Sequence, residues 1–377
     1  MVGGEAPLSP GHPGRTDFSR TPFLAIWETT RSCALTCAHC RASAILGRDP
    51  RELTTAEGKG LLGQAAAMGI PIVILTGGDP LNRPDLSELV RHGKSLGLRM
   101  GTIPAATENI TPARIQELKD AGLDQVAFSL DAPDAALHDA LRGIPGSYEK
   151  TLRAVELAHQ AGLPVQINTC LASQNFGRLE EMVGLVKELG LVFWEVFFLV
   201  PMGRGAQLQS ITAEQFEQAF ERFHRLNSEV EFVIKLTEAP HYRRFVIMKE
   251  LAAREPGAEG RIQHILARER GVGGAIGLSP KAVNAGKGFV FIDHLGDICP
   301  SGFLPLPAGN IRKDALASVY RDASLFKDLR DARKLKGKCG WCEFAEVCSG
   351  SRARAYAVTG DYLASEPFCA YEPPKPA

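Results

Sequence analysis

Short apolar runs alternate with longer amphipathic stretches from about residue 23 to residue 201, a pattern typical of repeated strand–helix units around a parallel sheet. Runs of strand length predict six strands: Phe23–Trp27, Ile72–Thr76, Arg99–Ile103, Gln125–Leu130, Val165–Asn168 and Phe193–Leu199. Five helical stretches end in a glycine followed by an apolar residue, because a left-handed residue closes a helix and the next apolar side chain folds back on it. These glycines are Gly69, Gly97, Gly122, Gly162 and Gly190. The periodicity fits an open doubly wound sheet or a partly closed barrel, and in both arrangements ligands gather at the carboxyl ends of the strands.

The remaining elements follow from local signals. Thr54 and Glu57 form a capping-box pattern that predicts a helix from about residue 55 to Met68. Beyond Pro201 the pattern predicts helices over 211–226 and 243–254, a Gly-rich linker over 255–285, a small hairpin about 294–297 and a helical region over 315–335. No G-x-G-x-x-G follows the first strand, which argues against a dinucleotide-binding fold.

Composition excludes several classes of protein. The 377 residues are 45% hydrophobic, enough for one large or two ordinary domains, so disorder is excluded. The 43 basic and 43 acidic residues give zero net charge, which argues against nucleic acid or an anionic membrane as partner. No apolar run approaches the ~20 residues of a membrane helix. Residues 1–20 are rich in Gly and Pro and lack a signal-peptide pattern, so we expect a flexible tail and a cytoplasmic protein.

The nine cysteines are unevenly distributed. An odd number without a signal peptide argues against a disulfide framework, and clustered reduced thiols indicate metal. Directly after the first strand come Cys33, Cys37 and Cys40, with spacings x3 and x2. Three soft ligands on one loop can hold a polynuclear cluster while leaving one metal without a protein ligand. The alternative is a zinc loop completed by His39 or a distant cysteine, although structural zinc favours paired spacings and a closed fourth position.

This cysteine loop, together with Gly77-Gly78-Asp79-Pro80 after the second strand, resembles the radical S-adenosylmethionine (SAM) enzymes over about residues 23–204. The resemblance implies a partial (β/α)6 TIM-like barrel of α/β class. It also implies that Cys33, Cys37 and Cys40 hold a [4Fe–4S] cluster whose fourth iron is chelated by SAM. Reductive cleavage of SAM would then give a 5′-deoxyadenosyl radical that abstracts hydrogen from a substrate.

The resemblance further implies the residues that contact SAM. Glycines at 77 and 78 would let backbone carbonyls approach the SAM ammonium group. Asp79 stands where relatives usually carry Glu. The other positions that the resemblance assigns to SAM are the loop residue His39 and the strand-end residues Ser129, Asp131 and Asn168. Ordinary strand-end capping explains the last three equally well.

A second thiol set lies near the end of the chain: Cys339, Cys342, Cys348 and Cys369. Its spacing leaves a zinc site and a fully ligated iron–sulfur cluster open. The surrounding sequence resembles the SPASM or twitch extension of radical SAM enzymes, most closely those that trim tetrapyrrole side chains and their peptide-modifying relatives. A full SPASM pattern has more cysteines, and here Asp314 and Arg352 occupy two of their places. The resemblance therefore implies one auxiliary [4Fe–4S] cluster held by these four thiols, with Cys299 most simply a buried thiol.

Arg352 and Arg354 follow this thiol set closely. Their guanidinium groups could bind a carboxylate-bearing substrate, or they could cover the cluster and pair with Asp361 and Glu366. Both interpretations stay open at the level of sequence.

We therefore predict four segments: a tail (1–20), a radical SAM barrel (21–230), a helical and Gly-rich connector (231–285) and a SPASM/twitch-like domain (286–377). The expected function is radical modification of a tetrapyrrole side chain, or alternatively of a peptide or protein. A flavodoxin- or ferredoxin-like protein would supply the electron. Two hypotheses from other classes are an iron–sulfur electron carrier, which would not need the Gly77–Pro80 motif, and a zinc-stabilised binding protein, which would be colourless.

Overall fold

The protein is organised around one mostly parallel sheet. The computed structural model describes residues 17–252 and 282–375. The strands are β1 (Leu24–Glu28), β2 (Ile72–Thr76), β3 (Arg99–Thr102), β4 (Gln125–Ser129), β5 (Val165–Leu171), β6 (Phe193–Phe198), β7 (Val233–Thr237), β8 (Phe289–Ile292), β9 (Asp297–Cys299) and β10 (Gly309–Asn310). Their order in the sheet is β10-β9-β8-β1-β2-β3-β4-β5-β6-β7.

Helices connect these strands. They are α1 (Thr55–Ala67), α2 (Leu86–Ser95), α3 (Pro112–Asp120), α4 (Ala135–Arg142), α5 (Ser147–Gln160), α6 (Ser173–Phe176), α7 (Leu179–Glu188), α8 (Ala213–Leu226), α9 (Tyr242–Ala252), α10 (Leu316–Asp322), α11 (Ser324–Arg330), α12 (Ala345–Cys348) and α13 (Arg352–Thr359). None of the helices in the described ranges is long and apolar enough to cross a membrane.

The predicted α/β barrel is confirmed. Strands β1 to β6 are parallel and adjacent in sequence order, which is the arrangement of a partial (β/α)6 barrel. The capping box at Thr54 is present, with both of its hydrogen bonds formed. All five predicted helix-ending glycines have φ between +64° and +91°, the left-handed region that such a stop requires.

Two features of the sheet were not foreseen. Strand β7 pairs in parallel with β6, although sequence reasoning had assigned residues 231–285 to a connector. At the other edge, β8 pairs in parallel with β1, and the predicted hairpin of β8 and β9 therefore extends the barrel sheet itself. The four segment boundaries remain predictions. Most of the predicted tail and of the Gly-rich linker lies outside the described residues, as does the end of the predicted helix 243–254.

The helices pack on the outer face of the sheet and leave its carboxyl edge open to the site. Trp27 of β1 is fully buried under α1, where a Cβ on Gly58 would lie 2.4 Å from the indole. On the far side, α8 buries Phe216 and Phe220 against Phe198 of β6, with the Phe198 and Phe216 ring centroids 4.7 Å apart. This apolar layer fixes the strands whose ends carry the polar residues described next.

Candidate active site

A cavity of about 410 Å³ opens at the carboxyl ends of the strands and is lined by residues from β1 to β8. Such a volume lies in the usual range for small-molecule sites. Cys33, Cys37 and Cys40 all line it, on the loop that follows β1. Arg204 ties this loop to the segment after β6: its Nε donates to the carbonyl oxygen of Cys37 at 2.9 Å and its backbone N–H to that of Cys40 at 3.0 Å.

Each sulfur of the loop accepts a hydrogen bond. The backbone N–H of Leu35 donates to Cys33 Sγ at 3.3 Å, and that of Ala44 donates to Cys40 Sγ at 3.5 Å. Cys37 Sγ accepts from the Arg142 guanidinium at 3.7 Å. Burial raises the pKa of the Cys33 thiol to about 12, so a bound metal would have to supply the positive charge that stabilises the thiolate. Donors aimed at the sulfurs suit thiolate ligands.

The turn after β2 packs so closely on the preceding loop that only glycine fits at positions 77 and 78. A Cβ on Gly77 would lie 2.4 Å from the carbonyl oxygen of Thr30, and one on Gly78 would lie 2.4 Å from that of Ser32. Both glycines also line the cavity. The structure therefore gives a reason for glycine that the sequence did not: the turn packs directly on the backbone that leads into Cys33.

Asp79 points away from the cavity. Its Oδ2 accepts hydrogen bonds from Thr107 Oγ1 and Asn109 Nδ2, both at 2.9 Å, and its Oδ1 accepts from the backbone N–H of Leu81 at 3.1 Å. The residue is fully buried and does not line the cavity. Burial raises the pKa of this carboxyl. In this position the side chain holds the turn, and its assignment to SAM stays a prediction.

Asp131 lies at the centre of a charged cluster beside Cys37. Its Oδ2 is 2.6 Å from the Arg142 guanidinium, and its Oδ1 accepts the backbone N–H of Cys170 at 2.8 Å. Burial raises the pKa of Asp131, but the Arg142 charge, the neighbouring histidines and the Cys170 hydrogen bond together outweigh burial and hold that pKa below its usual range. His39 Nε2 lies 3.6 Å from the same carboxylate, and burial lowers the His39 pKa to about 4, so its ring is neutral near pH 7.

Sequence reasoning missed Arg142. The signal that could have found it is Gly143-Ile144, which repeats the glycine–apolar helix stop and ends α4 with Gly143 at φ 74°. A Cβ on Gly143 would lie 2.2 Å from Thr36 Oγ1, so the end of α4 is pressed against the cysteine loop. That contact brings Arg142 to Cys37.

Ser129 and Asn168 are register partners on β4 and β5, and both line the cavity, while their contact with SAM stays a prediction. The polar layer that they begin continues across the next two strands. Gln166 Nε2 donates to Asn168 Oδ1 at 2.6 Å and to Glu195 Oε2 at 3.0 Å, and Lys235 Nζ lies 2.9 Å from Glu195 Oε1. Gln166, Glu195 and Lys235 belong to no sequence motif, so the sequence did not indicate them as site residues.

The four C-terminal thiols also accept backbone hydrogen bonds. Cys348 Sγ accepts from Gly350 N–H at 3.4 Å, and Cys339 Sγ accepts from Glu366 N–H at 3.3 Å. Cys342 and Cys369 each accept from the residue two positions later. Burial raises the pKa of Cys348 to about 12. The other two cysteines, Cys170 and Cys299, accept no such bond on sulfur from the described residues, which fits buried packing thiols.

The C-terminal thiols are grouped in space. Within residues 17–252 and 282–375, no three Cys, His, Asp or Glu side chains converge on a point that one metal ion would occupy. The C-terminal thiols are nevertheless close enough to raise one another's pKa electrostatically. Four grouped thiols suit a fully ligated iron–sulfur cluster or zinc, the two alternatives that the spacing leaves open.

Arg352 and Arg354 do not line the cavity, and both are fully buried. Arg354 Nη1 pairs with Glu366 at 3.1 Å, and its Nη2 donates to the backbone oxygens of Phe198 and Glu238 at 3.1 and 2.6 Å. It therefore links the ends of β6 and β7 to the segment that carries Cys369. The sequence alternative in which these arginines cover the auxiliary site is the one that the structure favours.

A parallel partial barrel with a three-cysteine loop at its carboxyl edge is the arrangement that the resemblance to radical SAM enzymes implies. The Radical SAM superfamily model matches residues 27–186. The AdoMet-dependent heme synthase of Methanosarcina barkeri is 40% identical to the chain, an alignment that covers 95% of the chain and 99% of the relative. The chain belongs to the radical SAM superfamily, whose members use a [4Fe–4S] cluster and SAM.

More distant proteins share the fold. The PqqA peptide cyclase of Rhizobium meliloti is 28% identical, over 93% of the chain and 88% of its own length. The crystal structure of Streptococcus suis SuiB bound to S-adenosylmethionine superimposes with a TM-score of 0.70 at 17% identity, over 93% of the chain and 78% of SuiB. At 17% identity the likeness to SuiB shows a shared fold, and the SPASM/twitch-like domain over 286–377 stays a prediction.

Proposed function

We propose that the protein converts a carboxylate-bearing iron tetrapyrrole into a heme by removing carboxyl groups from its side chains. The observation that carries the proposal is the 40% identity to AdoMet-dependent heme synthase along 95% of the chain, against 28% for the peptide cyclase. For each side chain, a hydrogen atom leaves to form 5′-deoxyadenosine, the bond to the carboxylate breaks with release of CO2, and one electron passes to an acceptor. The product side chain is a vinyl group.

The ligand assignments are part of this proposal. Cys33, Cys37 and Cys40 would hold the cluster that binds SAM, and Cys339, Cys342, Cys348 and Cys369 would hold one auxiliary [4Fe–4S] cluster. When bound, the first cluster and SAM supply the radical. Gly77, Gly78, His39, Ser129 and Asn168 line the cavity and would contact SAM, while Asp131 would act by holding Arg142 against Cys37.

The cavity wall offers apolar aromatic surface for a flat macrocycle. Phe197 of β6 and Phe303 lie with ring centroids 6.0 Å apart, and both line the cavity. Arg41 lies over the Phe291 ring at 4.6 Å and pairs with Glu28 at 2.9 Å, which fixes its guanidinium in place. Aromatic faces with a small number of fixed polar groups are typical of cofactor-sized ligand sites.

Arg204 is the candidate that would bind a carboxylate. It lines the cavity, its guanidinium donates to the backbone oxygens of Cys37 and Ala44, and it forms no ion pair within the described ranges. Its Nη2 atom has no hydrogen-bond partner there. The other cavity guanidinium groups described above, those of Arg41 and Arg142, already have carboxylate partners. A guanidinium without a counter-ion favours an anionic group of SAM or of the substrate.

The test is anaerobic reconstitution with iron and sulfide, followed by reaction with SAM, a reductant and an iron-bound tetrapyrrole that carries propionate side chains. We expect about eight irons per chain, corresponding to two four-iron clusters. We also expect 5′-deoxyadenosine together with a tetrapyrrole that has lost CO2 and a hydrogen atom. A flavodoxin- or ferredoxin-like protein should replace a chemical reductant. Deoxyadenosine without a changed tetrapyrrole would refute the substrate assignment, and no deoxyadenosine would refute radical chemistry.

Peptide modification is the second candidate, favoured by the likeness to the peptide cyclase. It predicts a mass change in a peptide under the same conditions, with no change in the tetrapyrrole.

A further inference from the structure

Arg352 is a buried cation without an ion pair. Its side chain is fully buried in α13, yet it forms no ion pair with any carboxylate of residues 17–252 or 282–375. Its Nη1 donates to the backbone oxygens of Tyr362 and Ala364 at 2.9 and 2.7 Å. Its Nε donates to the backbone oxygen of Gly350 at 3.4 Å, whereas its Nη2 atom is buried and has no oxygen acceptor among the described residues. Taking a guanidinium out of water without a counter-charge is costly, so an anion is expected beside it.

The guanidinium faces the C-terminal thiol set. Cys339 is its side-chain neighbour, and the charges of Cys339, Glu366 and Cys348 all act on it. The free Nη2 lies against Gly350, where a Cβ would stand 2.6 Å away, so this glycine makes room for the charge next to Cys348. Arg354, two residues along the same helix, is equally buried but is neutralised by Glu366.

The two thiol sets therefore differ in their electrostatic surroundings. The guanidinium beside Cys37 belongs to Arg142 and is paired with Asp131 at 2.6 Å, so the pair adds little net charge. The guanidinium beside Cys339 forms no ion pair within the described ranges, because Glu366, whose charge also reaches it, is paired with Arg354. A cluster held by four thiolates is anionic and becomes more so on reduction, and a fixed positive charge stabilises the reduced form.

We propose that Arg352 is the counter-ion of the auxiliary cluster and raises its reduction potential above that of the SAM-binding cluster. The inference rests on the proposed function, since it requires a cluster at the C-terminal thiols. Reduction of the site adds one electron and no atom. A raised potential lets the auxiliary cluster accept the electron that leaves the substrate during decarboxylation and pass it to the one-electron carrier protein proposed above. Arg352 is thus a positioning residue that acts through the cluster.

The experiment uses the full chain with Cys33, Cys37 and Cys40 changed to alanine, so that only the auxiliary site can hold iron. Redox titration followed by electron paramagnetic resonance gives its midpoint potential, which is compared with that of the SAM-binding cluster in the unaltered enzyme. Replacement Arg352→Gln should lower the equilibrium constant for reduction at least tenfold, a shift of about 59 mV for a one-electron couple. Arg352→Lys disturbs the same carbonyl hydrogen bonds but keeps the charge, and should restore most of the shift.

Lys338→Gln is the matched control. Lys338 also lies beside a thiol of the set, since it donates to the backbone oxygen of Cys369 at 2.7 Å, but its charge is paired with Glu372 at 2.8 Å near the surface. Solvent and the partner charge screen it, so we expect less than about a threefold change. If Arg352→Gln and Arg352→Lys lower the midpoint equally, or if Arg352→Gln leaves it unchanged, the inference is wrong.

If Arg352→Gln does not retain iron, the midpoint potential is measured in Glu366→Gln instead. This change removes a negative charge near Arg352 and Cys339, while the Glu366 backbone N–H still donates to Cys339 Sγ. The midpoint potential of the auxiliary site must therefore rise. An unchanged or lower midpoint overturns the inference. A C-terminal site that takes up zinc and no iron refutes both the auxiliary-cluster proposal and the inference. A cluster whose midpoint potential changes in neither Arg352→Gln nor Glu366→Gln refutes the inference alone.

Discussion

Replacing Gly78 with alanine should damage the site while leaving the fold in place. The new Cβ would lie 2.4 Å from the carbonyl oxygen of Ser32, whereas ordinary contacts begin at 3.4 Å, so the two segments must separate by about 1 Å. Two backbone hydrogen bonds of 2.7 Å join these segments, from Gly78 N–H to Thr30 and from Asp79 N–H to Ser32. Both would stretch, and the displaced segment leads directly into Cys33.

Overpacking of this kind costs about 1–3 kcal/mol of unfolding free energy. A misplacement of about 1 Å in a catalytic constellation costs on the order of a hundredfold in rate. We therefore expect Gly78→Ala to remain folded, to lose stability within that range, and to form 5′-deoxyadenosine about a hundredfold more slowly. The assay measures iron content, the urea midpoint and the rate of SAM cleavage in the same anaerobic preparation.

Gly60→Ala is the matched control. Gly60 lies exposed in α1, and a Cβ there meets nothing within 4 Å. Because alanine favours a helix interior over glycine, this variant should gain about 0.5–1 kcal/mol and keep the wild-type rate. Gly78→Ala with wild-type iron content and a cleavage rate within about twofold of wild type would refute the close-packing argument.

Three further predictions concern charge and ligands. His241→Phe should flatten the acid dependence of stability. Burial lowers the His241 pKa to about 3, below its unfolded value, so the native state binds fewer protons than the unfolded state. The wild type therefore loses about 1.6 kcal/mol of unfolding free energy from this group between pH 6.5 and 5. Equal slopes of urea stability against pH in the two proteins would contradict this. Asp131→Asn leaves Arg142 buried and unpaired, which should cost about 3–5 kcal/mol in urea unfolding, and a loss below about 1 kcal/mol would argue against the pair. Cys37→Ala should abolish SAM cleavage while the circular dichroism spectrum stays unchanged. Cys348→Ala should keep some uncoupled SAM cleavage but form no product. Loss of all cleavage in Cys348→Ala would mean that the auxiliary site is needed for structure or electron supply.

Local signals predicted most of the barrel. The five glycine stops and the Thr54 capping box depend only on neighbouring residues, and each is present. The sequence did not predict strand β7, because its five residues, Val233–Thr237, form a short run whose central lysine faces the cavity and interrupts the apolar pattern. The parallel pairing of β8 with β1 joins residues far apart in the chain, which no local pattern reports.

The same distinction separates the parts of the site. The sequence by itself determined the two thiol sets and the glycine turn, because ligand spacing on one loop is a local property. Only the tertiary structure decided that Asp79 bonds to Thr107 in the segment after β3, that Arg142 meets Asp131 beside Cys37, and that Arg352 lies against Cys339 without an ion pair. These outcomes depend on which distant segments share a buried volume, because the free energy of a charge out of water depends on its neighbours in space and not on its neighbours in the chain.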